Sequence, residues 1–395
     1  MTASLYIHIP FCSSVNLGGL CDYCDFYSVP LDEGQADAFI HAVLGDVNNQ
    51  LAVFGVSRVP TVYIGGGTPS VLGHQRMEQL LSGLKAVLEP LEPPEEYTVE
   101  ANPESADEAF LQTCASYGVS RLSLGVQTFH EPSRRAVRRT GGDIVEERLA
   151  LAAEYFPGAF SIDLITGLPF QTETVVRNDI EHALAFHPGH ISLYSLVLEP
   201  QTPLGERAAQ FGAAALSLPC GDEADSMWIS GRDMLEKAGL AQYEVSNFAL
   251  PEKTCAHNIR YWRMESWLGA GPAASGTIID DKTGSGKRFT YPADIDAYLK
   301  TPEPRIRSAR VEELDRASLI RESLLMGFRF REGPDPLSFR RRFGCGIEDC
   351  IPRTISRWGY NFFDAKRPGR LVPSPEGLLF LNSFLLDAFS ELEHE

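Results

Sequence analysis

Over roughly the first 250 positions, short runs rich in β-branched and aromatic residues alternate with longer stretches whose apolar residues recur every three or four positions. Runs at 4–9, 61–64, 97–100, 121–126, 160–164 and 191–196 read as strands, with a weaker seventh at 242–245. Between them, 35–54, 75–88, 106–117, 144–155 and 174–186 carry helical spacing. Strand-then-helix units predict parallel strands joined by right-handed crossovers. Six or seven such units in about 245 residues suit a closed or partly open barrel better than a small doubly wound sheet. The expected class is α/β: a partial (β/α)6 TIM-like barrel over 1–250, with a smaller, mainly helical C-terminal domain.

The strand ends sharpen this reading. The second expected strand runs into Gly65-Gly66-Gly67-Thr68-Pro69, the third ends at Glu100, and the fourth runs into Gly125-Val126-Gln127. The fifth carries Asp163 ahead of Gly167-Leu168-Pro169, and the sixth leads to Glu199-Pro200. In a barrel these carboxyl ends share one face, where sites are built. Glycine, aspartate and proline also simply end strands, but five such ends together favour a site. Beyond 250 the pattern breaks: 251–310 reads as an irregular, aromatic-bearing linker. The helical C-terminal domain covers 311–395, with helices at 312–326, 337–343 and 375–386 and a short hairpin near 361–372.

Charge narrows the partners. With 35 basic and 53 acidic residues the chain carries −18, which disfavours broad binding to nucleic acid. Arg134, Arg135, Arg138 and Arg139, and the run Arg340 to Arg342, read as solvated helix faces apart from Arg139. No apolar run reaches the ~18 residues of a membrane span. The start lacks a basic leader and reads as a first strand, so a cytoplasmic place is expected. Peripheral membrane contact and a homodimer stay open.

Eight cysteines are too few and uneven for a disulfide scaffold. Cys12, Cys21 and Cys24 crowd together after the first strand, while Cys114, Cys220, Cys255, Cys345 and Cys350 are scattered. Three thiolates on one loop can hold three irons of a cubane cluster and leave the fourth iron open, with Gly18-Gly19 giving the loop a bend. Two other readings remain: a zinc site completed by His8, or a dithiol redox pair at Cys21 and Cys24.

The set Tyr6-Ile-His-Ile-Pro-Phe-Cys12, Cys21-Asp-Tyr-Cys24 and Gly65-Gly66-Gly67-Thr68-Pro69 resembles the radical S-adenosylmethionine (SAM) superfamily. Further stretches are similar to its branch of anaerobic coproporphyrinogen III oxidases and haem chaperones. These are Glu100-Ala-Asn-Pro103, Arg121 to Phe129, Asp163 to Pro169, Ile191 to Leu196 and Tyr243 to Phe248. The resemblance implies a [4Fe–4S] cluster on Cys12, Cys21 and Cys24. It implies SAM bound to the free iron by its amino and carboxylate groups, and reductive cleavage to a 5′-deoxyadenosyl radical. It places Tyr6, Tyr23, Gly66, Gly67, Thr68, Glu100, Gln127, Arg139 and Asp163 in the SAM site. That placement makes chemical sense: glycines let backbone carbonyls approach the amine, Glu100 offsets positive charge, Gln127 and Asp163 offer hydrogen bonds, and Arg139 can fork onto a carboxylate.

This chain departs from the pattern in places. Eight residues separate Cys12 from Cys21 where the family usually has three; the longer loop costs little in closure entropy. Arg139-Thr140-Gly141 stands where Arg-x-His is usual, and Ala274-Ser275 where Ala-His is usual. Phe26 occupies the place where the oxidases carry a further cysteine, and the extra N-terminal segment of the oxidases is not expected. His257-Asn258-Ile-Arg-Tyr261-Trp262 matches a haem-chaperone motif, with imidazole as an axial ligand, aromatic faces for a porphyrin and Cys255 as a second candidate ligand. The resemblance therefore implies a haem chaperone that binds haem at His257 and delivers it to haem-requiring acceptor proteins. The alternatives are oxidative decarboxylation of coproporphyrinogen III to protoporphyrinogen IX, and a barrel kept as an iron–sulfur or zinc-binding interaction protein. No catalytic residue is assigned, and whether SAM is cleaved stays open.

Overall fold

The computed structural model describes residues 1–12, 21–139, 141–219, 221–367 and 369–393. The bend at Gly18-Gly19, Thr140 and Cys220 lie outside the described residues.

Six parallel strands form the frame: β1 (Ser4–Ile9), β2 (Thr61–Gly66), β3 (Glu96–Ala101), β4 (Arg121–Gln127), β5 (Phe160–Thr166) and β6 (His190–Ser195). They lie side by side in chain order with every neighbouring pair parallel. Side chains alternate across each strand. Leu5, Ile7, Ile9, Val62, Ile64, Val99, Leu122, Leu124, Ile162 and Ile191 pack outward into the core beneath the helices. The inward positions are polar and bond to one another. Thr61 Oγ1 donates to Ser4 Oγ at 2.9 Å, Tyr63 to Glu100 at 2.6 Å and Ser123 to Asp163 at 3.1 Å, and Ser161 pairs with His190 at 2.7 Å.

The crossover helices follow from capping and periodicity. The helix Glu33–Val53 starts at Asp32, whose side chain accepts from the Gln35 amide, and buries Phe39, Ile40, Val43 and Val47. Its buried face also carries Asp46 and Gln50. Asp46 accepts from Tyr291 Oη at 2.7 Å and Tyr298 Oη at 2.8 Å, and Gln50 donates to the Gly269 carbonyl at 2.9 Å. These bonds tie the first helix to the region after 250.

That region is not the irregular linker expected from the sequence. It contains the helix Ala256–Trp262 and three strands, Trp267–Ala270, Ser275–Asp280 and Ser285–Thr290. Trp267–Ala270 pairs parallel with β1 on the side away from β2, making a seventh parallel strand. The pattern hid it because the strand is short and holds Gly269, where a Cβ would stand 2.2 Å from the Ser275 carbonyl oxygen. Residues 242–245 are corrected too: only Ala241–Gln242 is a strand, antiparallel to Asn247–Ala249, which is antiparallel to β6.

A second core gathers Leu319, Leu324, Phe328, Phe339, Phe343, Phe362, Phe384 and Ala388. Phe362 and Phe384 stack with ring centres 3.9 Å apart. The helix expected at 312–326 is split between a strand, Arg310–Leu314, and the helix Arg316–Gly327, which begins at the capping Asp315. The one expected at 375–386 is two helices, Pro375–Leu378 and Leu381–Glu393. The expected hairpin reduces to a single bridge, Phe363 to Pro373. Among the described residues no helix is long and apolar enough to cross a membrane.

Candidate functional site

At the carboxyl ends of the parallel strands lies a cavity of about 390 Å³. Cys12, Cys21, Cys24, Tyr23, Gly66, Gly67, Thr68, Glu100, Gln127, Arg139 and Asp163 all line it. Of the residues singled out from sequence, Tyr6 and His257 do not.

The three cysteines reach this mouth by different routes. Cys12 sits on a two-residue strand, Phe11–Cys12, paired parallel with Val29–Pro30, so the chain is pinned on both sides of the cysteine loop. Cys24 donates its amide to the Cys21 carbonyl at 3.1 Å. Asp22, buried between them, pairs with Arg207 at 2.6 Å and Arg138 at 3.1 Å, fastening the loop to the barrel rim. A chain of hydrogen bonds then joins two of the thiols. Cys12 Sγ meets Thr68 Oγ1 at 3.3 Å, Asn102 Nδ2 donates to that hydroxyl at 3.0 Å, Arg139 Nη2 donates to Asn102 Oδ1 at 2.8 Å, and Arg139 Nη1 approaches Cys21 Sγ at 3.6 Å. Burial pushes the Cys24 thiol up to about 11, with Cys21 and Cys12 adding to the rise. Thiolates here need cationic partners. Among the described residues no three His, Cys, Asp or Glu side chains are placed to hold a single metal ion. Three thiols around one cavity, with no fourth cysteine or histidine lining it, suit a cubane cluster with one open corner.

The glycine strip is explained neighbour by neighbour. A Cβ at Gly65 would meet the Glu100 carboxylate at 2.7 Å, one at Gly66 the His8 ring at 2.5 Å, and one at Gly67 the Phe11 carbonyl at 2.4 Å. Gly66 also has φ +112°, open to glycine alone at this cost. Glu100 is thus clamped under the strip: Tyr63 Oη donates to it at 2.6 Å and the Gly66 amide at 3.1 Å. Burial, with a smaller push from the neighbouring Asp163, raises Glu100 to about 7 against the hydrogen bonds from Tyr63 and Gly66. Burial likewise raises Asp163, against hydrogen bonds from Ser192 and Ser123. Two half-buried carboxylates on the cavity floor are placed to receive a cationic ligand. Gln127 reaches the cavity because β4 shifts register against β5 between Gly125 and Gln127, which puts Gln127 at φ 71°.

Arg139 is buried; burial alone would lower it, but Glu104, Tyr23 and Cys21 outweigh that and hold it above its ordinary value. Arg134, expected on a solvated face, is 1 % exposed and donates to the Val126 and Thr128 carbonyls at 3.0 Å. The basic cluster there is a brace for the turn after β4, because strand-end carbonyls inside the rim need donors. Tyr6 lies one layer below the cavity, 3.1 Å from His8 Nδ1, with its ring 6.2 Å from Tyr63. His8 Nε2 meets the Tyr27 carbonyl at 2.8 Å, tying the far end of the cysteine loop to β1. Sequence reasoning missed Asp22, Asn102 and Tyr194. Asn102 was within reach, since it sits in the quoted Glu100-Ala-Asn-Pro103.

His257 stands at the opposite end of the barrel. Its helix begins where Glu96, the first residue of β3, accepts from the Ala256 and His257 amides at 2.8 and 2.9 Å. Its Nδ1 lies 2.8 Å from Thr61 Oγ1, the first residue of β2. That hydroxyl already donates to Ser4 Oγ, so Nδ1 carries the proton and Nε2 presents a lone pair. Nε2 is buried without a hydrogen-bond partner. Burial lowers the imidazole to about 3, helped by Arg260, so it is neutral. Tyr63 and Tyr261 flank it with ring centres 5.1 and 4.9 Å away. The donor chemistry fits an axial haem ligand, but at 1 % exposure the ring is covered as it stands. A cleft of about 770 Å³ borders the same helix at Arg260 and Arg263 and also takes in Arg341, Arg342 and Arg370.

Comparison with known proteins agrees with this geometry. The radical SAM superfamily model matches residues 6–183. The chain is 37% identical over 357 residues to the Heme chaperone HemW of Lactococcus lactis, covering 89% of this chain and 88% of that one. It is 32% identical over 412 residues to the mitochondrial Radical S-adenosyl methionine domain-containing protein 1 of Bos taurus, covering 99% and 88%. Among solved structures, coproporphyrinogen III oxidase (HemN) from Escherichia coli superposes with a TM-score of 0.79 at 20% identity, over 98% of this chain and 89% of that one, a likeness of fold.

Proposed function

The chain belongs to the radical SAM superfamily, within the family of the HemW heme chaperones, and from that premise we propose that it carries haem and hands it to haem-requiring proteins. On this reading Cys12, Cys21 and Cys24 hold the [4Fe–4S] cluster. Glu100 and Asp163 face the cationic part of SAM, the Gly65 to Gly67 strip admits its amine, and Gln127 and Tyr23 border the rest of the cavity. When bound, the cluster supplies single electrons to SAM. Arg139 keeps its charge and sets it 3.6 Å from the Cys21 sulfur.

Haem binds at the other end. His257 offers a neutral imidazole with a free Nε2, which is the protonation state iron requires. The cleft beside its helix holds five arginines among four acidic residues; Arg260, Arg342 and Arg370 pair with Glu265, Asp281 and Glu332, which leaves Arg263 and Arg341 as guanidinium forks for propionate carboxylates. Access to the iron ligand needs the helix Ala256–Trp262 to move away from the barrel floor. Its place of action is the cytoplasm, and its acceptors are haem-requiring proteins.

One observation carries the reading: a single buried histidine with an unpartnered Nε2 lies in the same barrel as a three-thiol mouth, at the other end. The test is transfer. Haem-loaded chain is expected to restore absorption to an apo haem protein separated from free haem by gel filtration. A chain that binds no haem would rule the proposal out. Anaerobic conversion of coproporphyrinogen III to protoporphyrinogen IX would instead favour the oxidase reading.

A further inference from the structure

Two cysteines that sequence spacing leaves among the scattered ones come together in the second core. Cys345 Sγ and Cys350 Sγ lie 3.5 Å apart across a single turn. Cys350 is buried, and Cys345 is partly exposed at the edge of a cavity of about 270 Å³. Arg316, on the helix Arg316–Gly327, donates from Nη2 to Cys345 Sγ at 3.4 Å and to the Phe343 carbonyl at 2.7 Å. A second guanidinium, that of Arg321, lines the same cavity with its Nε buried and without a hydrogen-bond partner. The third charged group there is Asp349, whose carboxylate is engaged by the Gly346 amide at 2.7 Å.

We propose that Cys345 and Cys350 form a reversible dithiol site that reacts with an acidic, low-molecular-weight disulfide through Cys345 and closes to an intramolecular disulfide. The roles follow from the asymmetry of the pair. Cys345 is the more exposed of the two and holds the hydrogen bond from Arg316, so it is the sulfur an incoming disulfide meets first. Cys350 borders the same cavity but is buried and takes no hydrogen bond from Arg316: burial pushes it up to about 12, and its contact with Cys345 adds to the rise against the nearby Arg316, so it keeps its proton until Cys345 has reacted. Arg321, in the same lining, gives a carboxylate of the incoming disulfide a guanidinium to bind.

The chemistry balances in two exchanges. The Cys345 thiolate attacks one sulfur of the small disulfide, forming a mixed disulfide and releasing one thiolate. Cys350 then loses its proton and attacks Cys345 Sγ, releasing the second. The chain loses two protons and two electrons, and the small disulfide becomes two thiols. The protein sulfurs need to close only from 3.5 Å to the ~2.05 Å of a bond. None of these residues lines the three-cysteine mouth.

The two thiols fall in one tryptic peptide, residues 343–353, because Arg342 and Arg353 flank them. The full chain, prepared anaerobically, is equilibrated in graded ratios of glutathione to its disulfide, quenched in acid, alkylated under denaturing conditions and digested. The expected result is progressive loss of both alkyl labels from that peptide, with two hydrogens missing, while Cys114 and Cys255 stay labelled. Cys350→Ser is expected to trap glutathione on Cys345, whereas Cys345→Ser leaves Cys350 free of adduct. Retention of both labels at every ratio would overturn the proposal. So would equal adduct formation at Cys350 in the Cys345→Ser chain. The parent measurement stands even if either variant folds poorly.

Discussion

At the scale of single residues, the cavity mouth depends on two carboxylates held where burial opposes their charge. Glu100 rises to about 7 because it is desolvated, with Asp163 adding repulsion. A cation favours the ionised form, so cationic SAM binds best when Glu100 has lost its proton. The sign follows: affinity is flat above about pH 7 and falls as pH drops below it, approaching about tenfold per pH unit. Calorimetric titration of SAM from pH 8 to 5.5 checks this, and Glu100→Gln is expected to weaken binding and remove the slope. Asn102 sits between the two ends of the thiol-to-thiol hydrogen-bond chain. Asn102→Leu is expected to lower cluster content, read as iron and acid-labile sulfide, while far-ultraviolet circular dichroism stays unchanged. These roles were only partly legible in the sequence. Cysteine, glycine and carboxylate announce themselves by type and spacing. Asp22 and Asn102 act by bridging segments distant in the chain, and no local pattern reports such a bridge.

At the scale of elements, each glycine after β2 is fixed by a different neighbour. Gly66→Ala would set a methyl against His8 at a backbone angle that side chains avoid, a cost of about 1–3 kcal/mol. Thermal unfolding of the variant is expected to show that loss together with reduced SAM affinity. The first helix offers a stability test far from the mouth. Asp46 takes the hydroxyls of Tyr291 and Tyr298, so Asp46→Ala leaves both buried protons without their acceptor, with Tyr291 Oη still accepting from Gln50 at 3.2 Å. The expected loss is about 2–4 kcal/mol in urea unfolding. Period-two and helical patterns located the strands β1 to β6 and the helices that cross between them, because apolar outward faces dominate those segments, but not the helix Asp222–Lys237 that follows β6. They failed after 250, where strands are short, glycine-bearing or half-exposed and draw stability from pairing with β1 and from bonds such as Gln50 to Gly269. They also joined Arg310–Leu314 to the helix that follows, since a capping Asp315 outweighs a continuous apolar pattern.

For the whole molecule, the barrel has two chemically distinct ends joined by a polar interior. The mouth holds the thiols and carboxylates, and the floor holds a neutral imidazole beneath the helix Ala256–Trp262. Between them run contacts from His257 to Tyr63 and from Tyr63 to Glu100. The resemblance seen in the sequence led to both ends, but only the structure shows that they are opposite and that the histidine is covered. The central claim is that cluster and haem occupy separate places in one chain. The most direct measurement is the anaerobic absorption spectrum of the reconstituted protein, titrated with haem, for the parent and for His257→Ala. The account predicts that the broad cluster absorption persists in both while a haem Soret band saturates in the parent and is lost or shifted in the variant. An unchanged Soret band in His257→Ala, or loss of the cluster absorption as haem binds, would contradict it.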